Sequence, residues 1–406
     1  VTLGRRFWTV WTASTISNVG DGIVIAALPL LAAHLTRQPM GIAGTTIAVR
    51  LPWLLFALFA GVVVDRADRL RTMITTDMGR TAIFTLIAVV VASGNMTLTL
   101  LYVCVFAVGL CETLFDTAAM SITPAIVGTA QLDSANSRLD SAQVAANELA
   151  GPALGGALFA AAAALPFGVN AATFAASVAL LLSVGGSFRP VARARPSILH
   201  DVSDGFTFLW SQPGIRAFAI GAGLINLGHT AAISLLVLHA EDNLGLGDVG
   251  FGVLLAASAA GGILGSVAAP RIIGWLGRRN SVLVAVILLA GGMATAGAAR
   301  AAWLTGCGLA LVAFAGGVWN IVSVTHRQSV TPDALLGRVM SGFRVIAYGT
   351  FPIGAALGGW IAGLASVRAT FYFGSALIAI LFPLLLVLLP GEGLDPLKTE
   401  TLPPNG

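Results

Sequence analysis

Residues 149–188 read LAGPALGGALFAAAAALPFGVNAATFAASVALLLSVGGSF. Not one Asp, Glu, Lys or Arg falls between Glu148 and Arg189. One bilayer crossing needs roughly 20 mostly apolar residues. The stretch therefore holds two crossings, near 141–164 and 166–187, with Leu165-Pro166 at the turn. Arg80 to Glu112, Arg344 to Arg368 and Arg368 to Glu392 are likewise free of charge.

The rest of the chain agrees. Of 406 residues, 57% are hydrophobic and 10% charged, and mean hydropathy is +0.90; a soluble domain carries about 25% charged residues. No long stretch alternates polar and apolar at every second residue, as barrel strands do. The expected fold is all-α, a polytopic membrane protein. Segmenting at charges and Gly/Pro clusters gives twelve spans, near 7–33, 42–64, 72–93, 97–119, 141–164, 166–187, 213–240, 248–270, 280–298, 301–325, 341–364 and 367–389. The first follows Arg5 and Arg6, is too long for a cleaved signal peptide, and is expected to be a retained helix.

Basic residues orient the chain. With the N-terminus in the cytoplasm, fifteen Arg and Lys fall in inner loops and three, Arg37, Arg300 and Arg368, in outer ones. Both termini are then cytoplasmic. The net charge of +4 reflects these loops and gives no reason to expect nucleic acid. Lys398 is the one lysine, so there is no P-loop and no ATP is expected. Cys104, Cys111 and Cys307 are scattered within spans and suggest neither disulfides nor a metal site. No G-x-S-x-G, H-E-x-x-H or histidine cluster points to an enzyme, a cofactor or a metal.

The chain also repeats itself weakly. GPALGG at 151–156 matches GAALGG at 354–359, 203 residues later. Parallel six-helix repeats with a substrate site between them are one transporter plan. This predicts an N-terminal six-helix bundle (1–187), a cytoplasmic linker (188–212) with a short amphipathic helix near 198–210, a C-terminal bundle (213–390) and a disordered tail (391–406).

After the second span comes GVVVDRADRLR, with Gly61, Asp65, Arg66, Arg69 and Arg71. This resembles motif A of the major facilitator superfamily. Gly151, Pro152, Gly155 and Gly156 resemble that family's antiporter motif, with Pro352, Gly354, Gly358 and Gly359 as the second-half counterpart. SNVGDGIVIAALPLL, ETLFDTAA and ANSRL look more narrowly like bacterial exporters of macrolides, tetracyclines and siderophores. The resemblance implies a multi-pass protein of the bacterial cytoplasmic membrane. It would export small amphiphilic or hydrophobic compounds by alternating access with proton antiport, and a monomer is expected. Its partners are the lipid bilayer, protons and the small-molecule substrate. An importer or lysolipid transporter on the same fold is one alternative, against which the antiporter motif speaks. A non-transporting receptor or assembly factor is another, and carboxylates within the spans speak against it.

The resemblance also implies roles. Asp65 would face the start of helix eleven near Ser341, and Arg66 and Arg69 would reach Asp116 to latch the halves. The glycines of helix five would roll against Gly261, Gly262 and Gly265 of helix eight, and helix two would pair with helix eleven. Helices one, four, seven and ten would line a cavity. Charges in a membrane face a wet cavity or the bundle interior. That singles out Asp21, Glu112, Asp116 and Glu148 for proton or substrate coupling, with Asn18, Arg50, Asn226, His229, Trp319 and Asn320 as cavity candidates. Helix four lacks the arginine of some drug antiporters and carries Glu112 and Asp116 instead. Structural ion pairs are the competing role: Arg50 with Asp21, and Arg80 with Asp77.

Overall fold

The computed structural model describes residues 3–64, 66–128, 131–189 and 198–388. These contain helices and connections, and among them there is no strand. In order they are α1 (Arg5–Leu35), α2 (Pro39–Val64), α3 (Arg69–Ala92), α4 (Leu98–Ile126), α5 (Leu132–Gln143), a π-helical segment (Val144–Ala150), α6 (Gly151–Ala161), α7 (Leu165–Val184) and α8 (Ile198–Ser211). Then follow α9 (Pro213–Ile233), α10 (Leu236–Leu238), a second π segment (His239–Asn243), α11 (Asp248–Ala298), α12 (Ala302–Val330), α13 (Asp333–Leu364), α14 (Val367–Ala379) and α15 (Leu381–Leu388). Asp65 and the tail 391–406 lie outside the described residues.

Nine of these helices are long and apolar enough to cross a membrane, or ten if α9 and the short helical run after it, bent by 44°, form one span. Two further features fall outside that count. At 1.5 Å per residue the 51 residues of α11 would run about 76 Å, far beyond the roughly 30 Å of a hydrocarbon core. The helix breaks at Gly277, whose φ of 75° and ψ of 164° leave the helical region; a side chain is strained there and glycine is not. And α5, the π segment and α6 run on as one rod over 132–161. Pro152 has no N–H, and its ring crowds the carbonyl four residues back, that of Glu148. The backbone answers by widening to π turns over Val144–Ala150.

The helix termini are set locally. Asp68 caps α3 by accepting from the Arg71 N–H at 3.2 Å, Thr97 caps α4 and Ser366 caps α14. Asp68 also accepts from Ser187 Oγ (2.6 Å) and the Phe188 N–H (2.9 Å). One buried carboxylate thus ties the start of α3 to the segment after α7. Burial works against its charge, but these hydrogen bonds, with those from Arg71 and Leu70, outweigh it and hold the carboxyl below its usual range.

Large apolar side chains stand outward along many helices, such as Met120 on α4 (65% exposed) and Val267 on α11 (64%). A lipid-facing surface accounts for that pattern. Trp275 and Trp303 stand in the open. Trp11 donates to the Arg138 carbonyl, and Trp8 lies under the Arg138 guanidinium.

Among α1–α7, α1 packs on α6 and α7, α2 on α4, and α3 on α4 and α7. Among α9–α15, α11 packs on α12 and α14, and α9 on α13 and α14. The main contacts between the two sets are α2 with α13 and α6 with α11.

Candidate functional site

The polar centre is built on α1, α3, α4 and α7. Arg80, near the middle of α3, is 2% exposed. One of its terminal nitrogens is hydrogen-bonded to Asp77 Oδ1, one turn earlier on the same helix. Its other terminal nitrogen lies 3.8 Å from Asp21 Oδ2 on α1. Asp77 is fully buried and takes a second bond, 2.7 Å, from Ser177 Oγ on α7. The guanidinium sits between two aromatic faces, 4.4 Å from the centroid of Phe115 and 4.3 Å from that of Phe174. Cation–π contact of this kind is worth up to about 2 kcal/mol when desolvated.

Glu112 and Asp116 lie one turn apart on α4, and both act electrostatically on Arg80 and Asp21. Asp77 and Asp21 therefore share one arginine, and Glu112 and Asp116 add their negative field to it. Asp77 is fully buried between Arg80 and Ser177, whereas Asp21 and Glu112 are partly open and Asp116 is exposed. The centre has a fixed inner ion pair and an open, acid-rich side.

Three of the four acids singled out in the sequence meet here. Glu148 does not. It stands exposed in the π segment, and among the described residues it makes no ion pair. Two expected pairings are corrected. Arg50 does not neutralise Asp21; it is exposed and lies over the Phe351 ring of α13, 5.4 Å away. Arg66 and Arg69 make no ion pair with Asp116 among the described residues; the cation that acts on Asp116 is Arg80 of α3. Arg66 and Arg71 are exposed, and the Arg69 N–H reaches the Phe188 carbonyl.

The cavity candidates divide. Asn18 on α1 and His229 on α9 are half-buried, and Asn320 on α12 is exposed. Asn226 is committed, donating from Nδ2 to the Ala347 carbonyl of α13 at 2.7 Å. Trp319 is packed in the core, edge-on to Phe218 and against Gly221. In the second set of helices a different cation is buried: Arg327, 5% exposed, lies over Phe343 with 3.4 Å to its centroid and donates to Ser323.

The glycine motifs fall on two surfaces. A Cβ on Gly151 or Gly155 would run into the backbone of Gly22 or Ile23 on α1, so these two residues serve a contact within the first set of helices. Gly156 faces the other way: its Cβ would stand 2.5 Å from the Asp248 carbonyl and 3.2 Å from Gly252 Cα of α11. The second copy does the same. Gly354 and Gly358 abut Leu227 and Ala231 of α9, while Gly359 abuts Met40 and Ala43 of α2. Ala231 lies 208 positions after Ile23, and Asp248 lies 208 after Met40, so the repeat seen in the sequence is a repeat of contacts. Gly261 and Gly265 are corrected: they press on Ala310 and Phe314 of α12, and Gly252 is the partner of α6.

Where α1 ends, opposite residue 5, the two sets are clasped again. Arg37 after α1 pairs with Glu241 and lies 3.7 Å from Asp242, both in the second π segment. The Glu241 bond raises the Arg37 pKa.

The family described as "transmembrane secretion effector" matches residues 4–400. The multidrug efflux pump Tap of Mycolicibacterium fortuitum is 28% identical over 394 residues, covering 92% of each chain. The enterobactin exporter EntS of Escherichia coli O1:K1 is 26% identical over 397 residues, covering 94% of this chain and 92% of its own. Among solved structures, the nucleoside transporter NupG superposes with a TM-score of 0.73 at 13% identity, over 96% of this chain and 100% of that one. A bacterial ferroportin homologue in its inward-facing state gives 0.75 at 16%, over 96% and 99%.

Proposed function

Since the chain belongs to the transmembrane secretion effector family of major facilitator transporters, we propose that it exports a small amphiphilic compound by proton antiport. The Asp21–Arg80 centre would be the coupling element. The observation that carries this is the shared arginine: one buried guanidinium held by Asp77 on its closed side and by Asp21 on its open side.

A carboxylate moved between water and a dry interior changes its affinity for a proton. Protonating Asp21 cancels its pull on Arg80 and leaves the arginine to Asp77. Deprotonating it restores the competition and draws α1 toward α3. Glu112 and Asp116 add negative potential on the same open side, which attracts a proton or a cationic group of the substrate. Each ligand then favours the conformation it binds better, which is all that coupling requires.

Alternating access needs a seam that opens at either end. We take α2–α13 and α6–α11 as that seam, 1–187 and 213–390 as its two sides, and twelve crossings as the count once α11 is two spans and 132–161 is one. The closed clasp of Arg37 with Glu241 and Asp242, where the α1–α2 loop would face outward, fits an inward-open state. Export of a drug-like or siderophore-like substrate is supported by the efflux and export activities of Tap and EntS. The test is a susceptibility and accumulation panel on cells lacking or overexpressing the gene, with and without a protonophore. Lower accumulation that the protonophore abolishes is expected; no change for any compound would remove the export reading.

A further inference from the structure

His34, Glu241 and Asp248 meet at the clasped end of the seam. One ligand-type atom from each lies within 4.8 Å of the other two. His34 sits in the last turn of α1, Glu241 in the second π segment and Asp248 at the first residue of α11. One donor therefore comes from one side of the seam and two from the other. Phe159 of α6 packs on the imidazole, with ring centroids 5.0 Å apart. Asp248 is fixed by the close approach of its own carbonyl to Gly156.

We propose that this trio is a regulatory site for a zinc-class divalent cation that locks the two halves together at this end. Imidazole nitrogen and carboxylate oxygen are both zinc ligands, and three such protein donors leave a fourth tetrahedral position for water. Magnesium and calcium favour all-oxygen shells, so the histidine sets the selectivity. Donors about 2.0–2.2 Å from zinc lie closer together than 4.8 Å, and side-chain rotation of half-exposed groups supplies the contraction. Arg37 competes for Glu241, and Asp242, 3.7 Å away, can receive it. The site exists only while this end is closed. By mass action a bound cation stabilises that state alone and arrests alternation. The binding rests on the rim geometry and not on which substrate is carried.

The test uses the purified full chain in detergent, stripped with chelator and titrated with ZnCl2 or MgCl2. Zinc is expected to raise Tm saturably at one ion per chain, and magnesium to do nothing at the same concentration. His34→Ala and Asp248→Asn, each at a partly exposed or exposed position, are expected to weaken zinc binding by more than the roughly 10–100-fold that loss of an outer-shell partner costs. Arg37→Ala is expected to keep zinc binding or tighten it. Unchanged zinc affinity in both ligand variants would overturn the proposal. So would loss of the zinc effect in Arg37→Ala to the same degree as in His34→Ala, which would make the rim an ion-pair clasp only. Cobalt offers a readout without variants: visible absorption that grows with binding supports the site, and a spectrum like that of aqueous cobalt contradicts it.

Discussion

Arg80 Nη1 lies 3.8 Å from Asp21 Oδ2, while the other end of the same guanidinium is hydrogen-bonded to Asp77. The two acids are not equivalent. Asp77 is fully buried and held by Ser177 and Arg80, whereas Asp21 is partly open. Removing the arginine should therefore strand Asp77 first. Breaking a buried ion pair from one side costs about 3–5 kcal/mol. Arg80→Gln should lower Tm in detergent sharply, and Arg80→Gln with Asp77→Asn should recover much of the loss. The double variant should still fail in substrate-driven proton movement, because nothing is left to answer Asp21. Full transport by the double variant would show that the pair is only a strut.

Gly156 and Gly359 are two of the positions, among the described residues, where the two sets of helices touch backbone to backbone. Gly156→Val should hold that contact apart and lower transport at least tenfold with normal membrane insertion. Gly262→Ala is the control, since its Cβ would meet Ala313 at an ordinary 3.7 Å. It should behave as wild type in an accumulation assay. Equal loss in both variants would point to general helix packing.

The sequence makes the small residues visible but not their neighbours. Gly151 and Gly155 share a face by their spacing, and that face does bury glycine. It meets α1, because nothing in 151–156 distinguishes a helix of its own half from one of the other. Gly261 and Gly265 mislead in the same way. What is legible is the doubling: GPALGG and GAALGG, 203 residues apart, perform matching contacts. Arg80 with Asp77 can be read from i,i+3 spacing on a helix. Asp21 with Arg80, and His34 with Glu241 and Asp248, join residues too distant in the chain for any periodicity to connect. Hydropathy foretold helices but not the π turns that Pro152 imposes around Glu148.

Asp68 accepts hydrogen bonds from Ser187, Phe188 and Arg71, and its carboxyl titrates below the ordinary 3.8. Loss of a helix N-cap alone costs about 0.5–2 kcal/mol, and Asp68→Ala loses the tie to Ser187 as well. For an acid whose folded pKa is depressed, the stabilisation is present above the unfolded value and fades as pH falls through the folded one. The Tm deficit of Asp68→Ala should therefore be flat from pH 5 to pH 8 and shrink only below about pH 3.8. A deficit that vanished between pH 6 and pH 8 would assign the effect to another group.

Glu148 stands apart from the Arg80 centre, exposed in the π segment. Glu148→Gln should thus leave the pH dependence of transport in place, while Glu112→Gln and Asp116→Asn should each shift it. The comparison needs one assay, initial export rate against external pH in vesicles. If Glu148→Gln alone shifted the profile, coupling would belong to α5–α6.

Asp21, competing with Asp77 for Arg80, is the residue proposed to carry the coupling. The most direct test is substrate-induced proton release from the purified protein in proteoliposomes, wild type against Asp21→Asn, with a substrate drawn from the accumulation panel. Release on substrate addition is expected in wild type, with its loss in Asp21→Asn while substrate binding is retained. Undiminished release in Asp21→Asn would contradict that role.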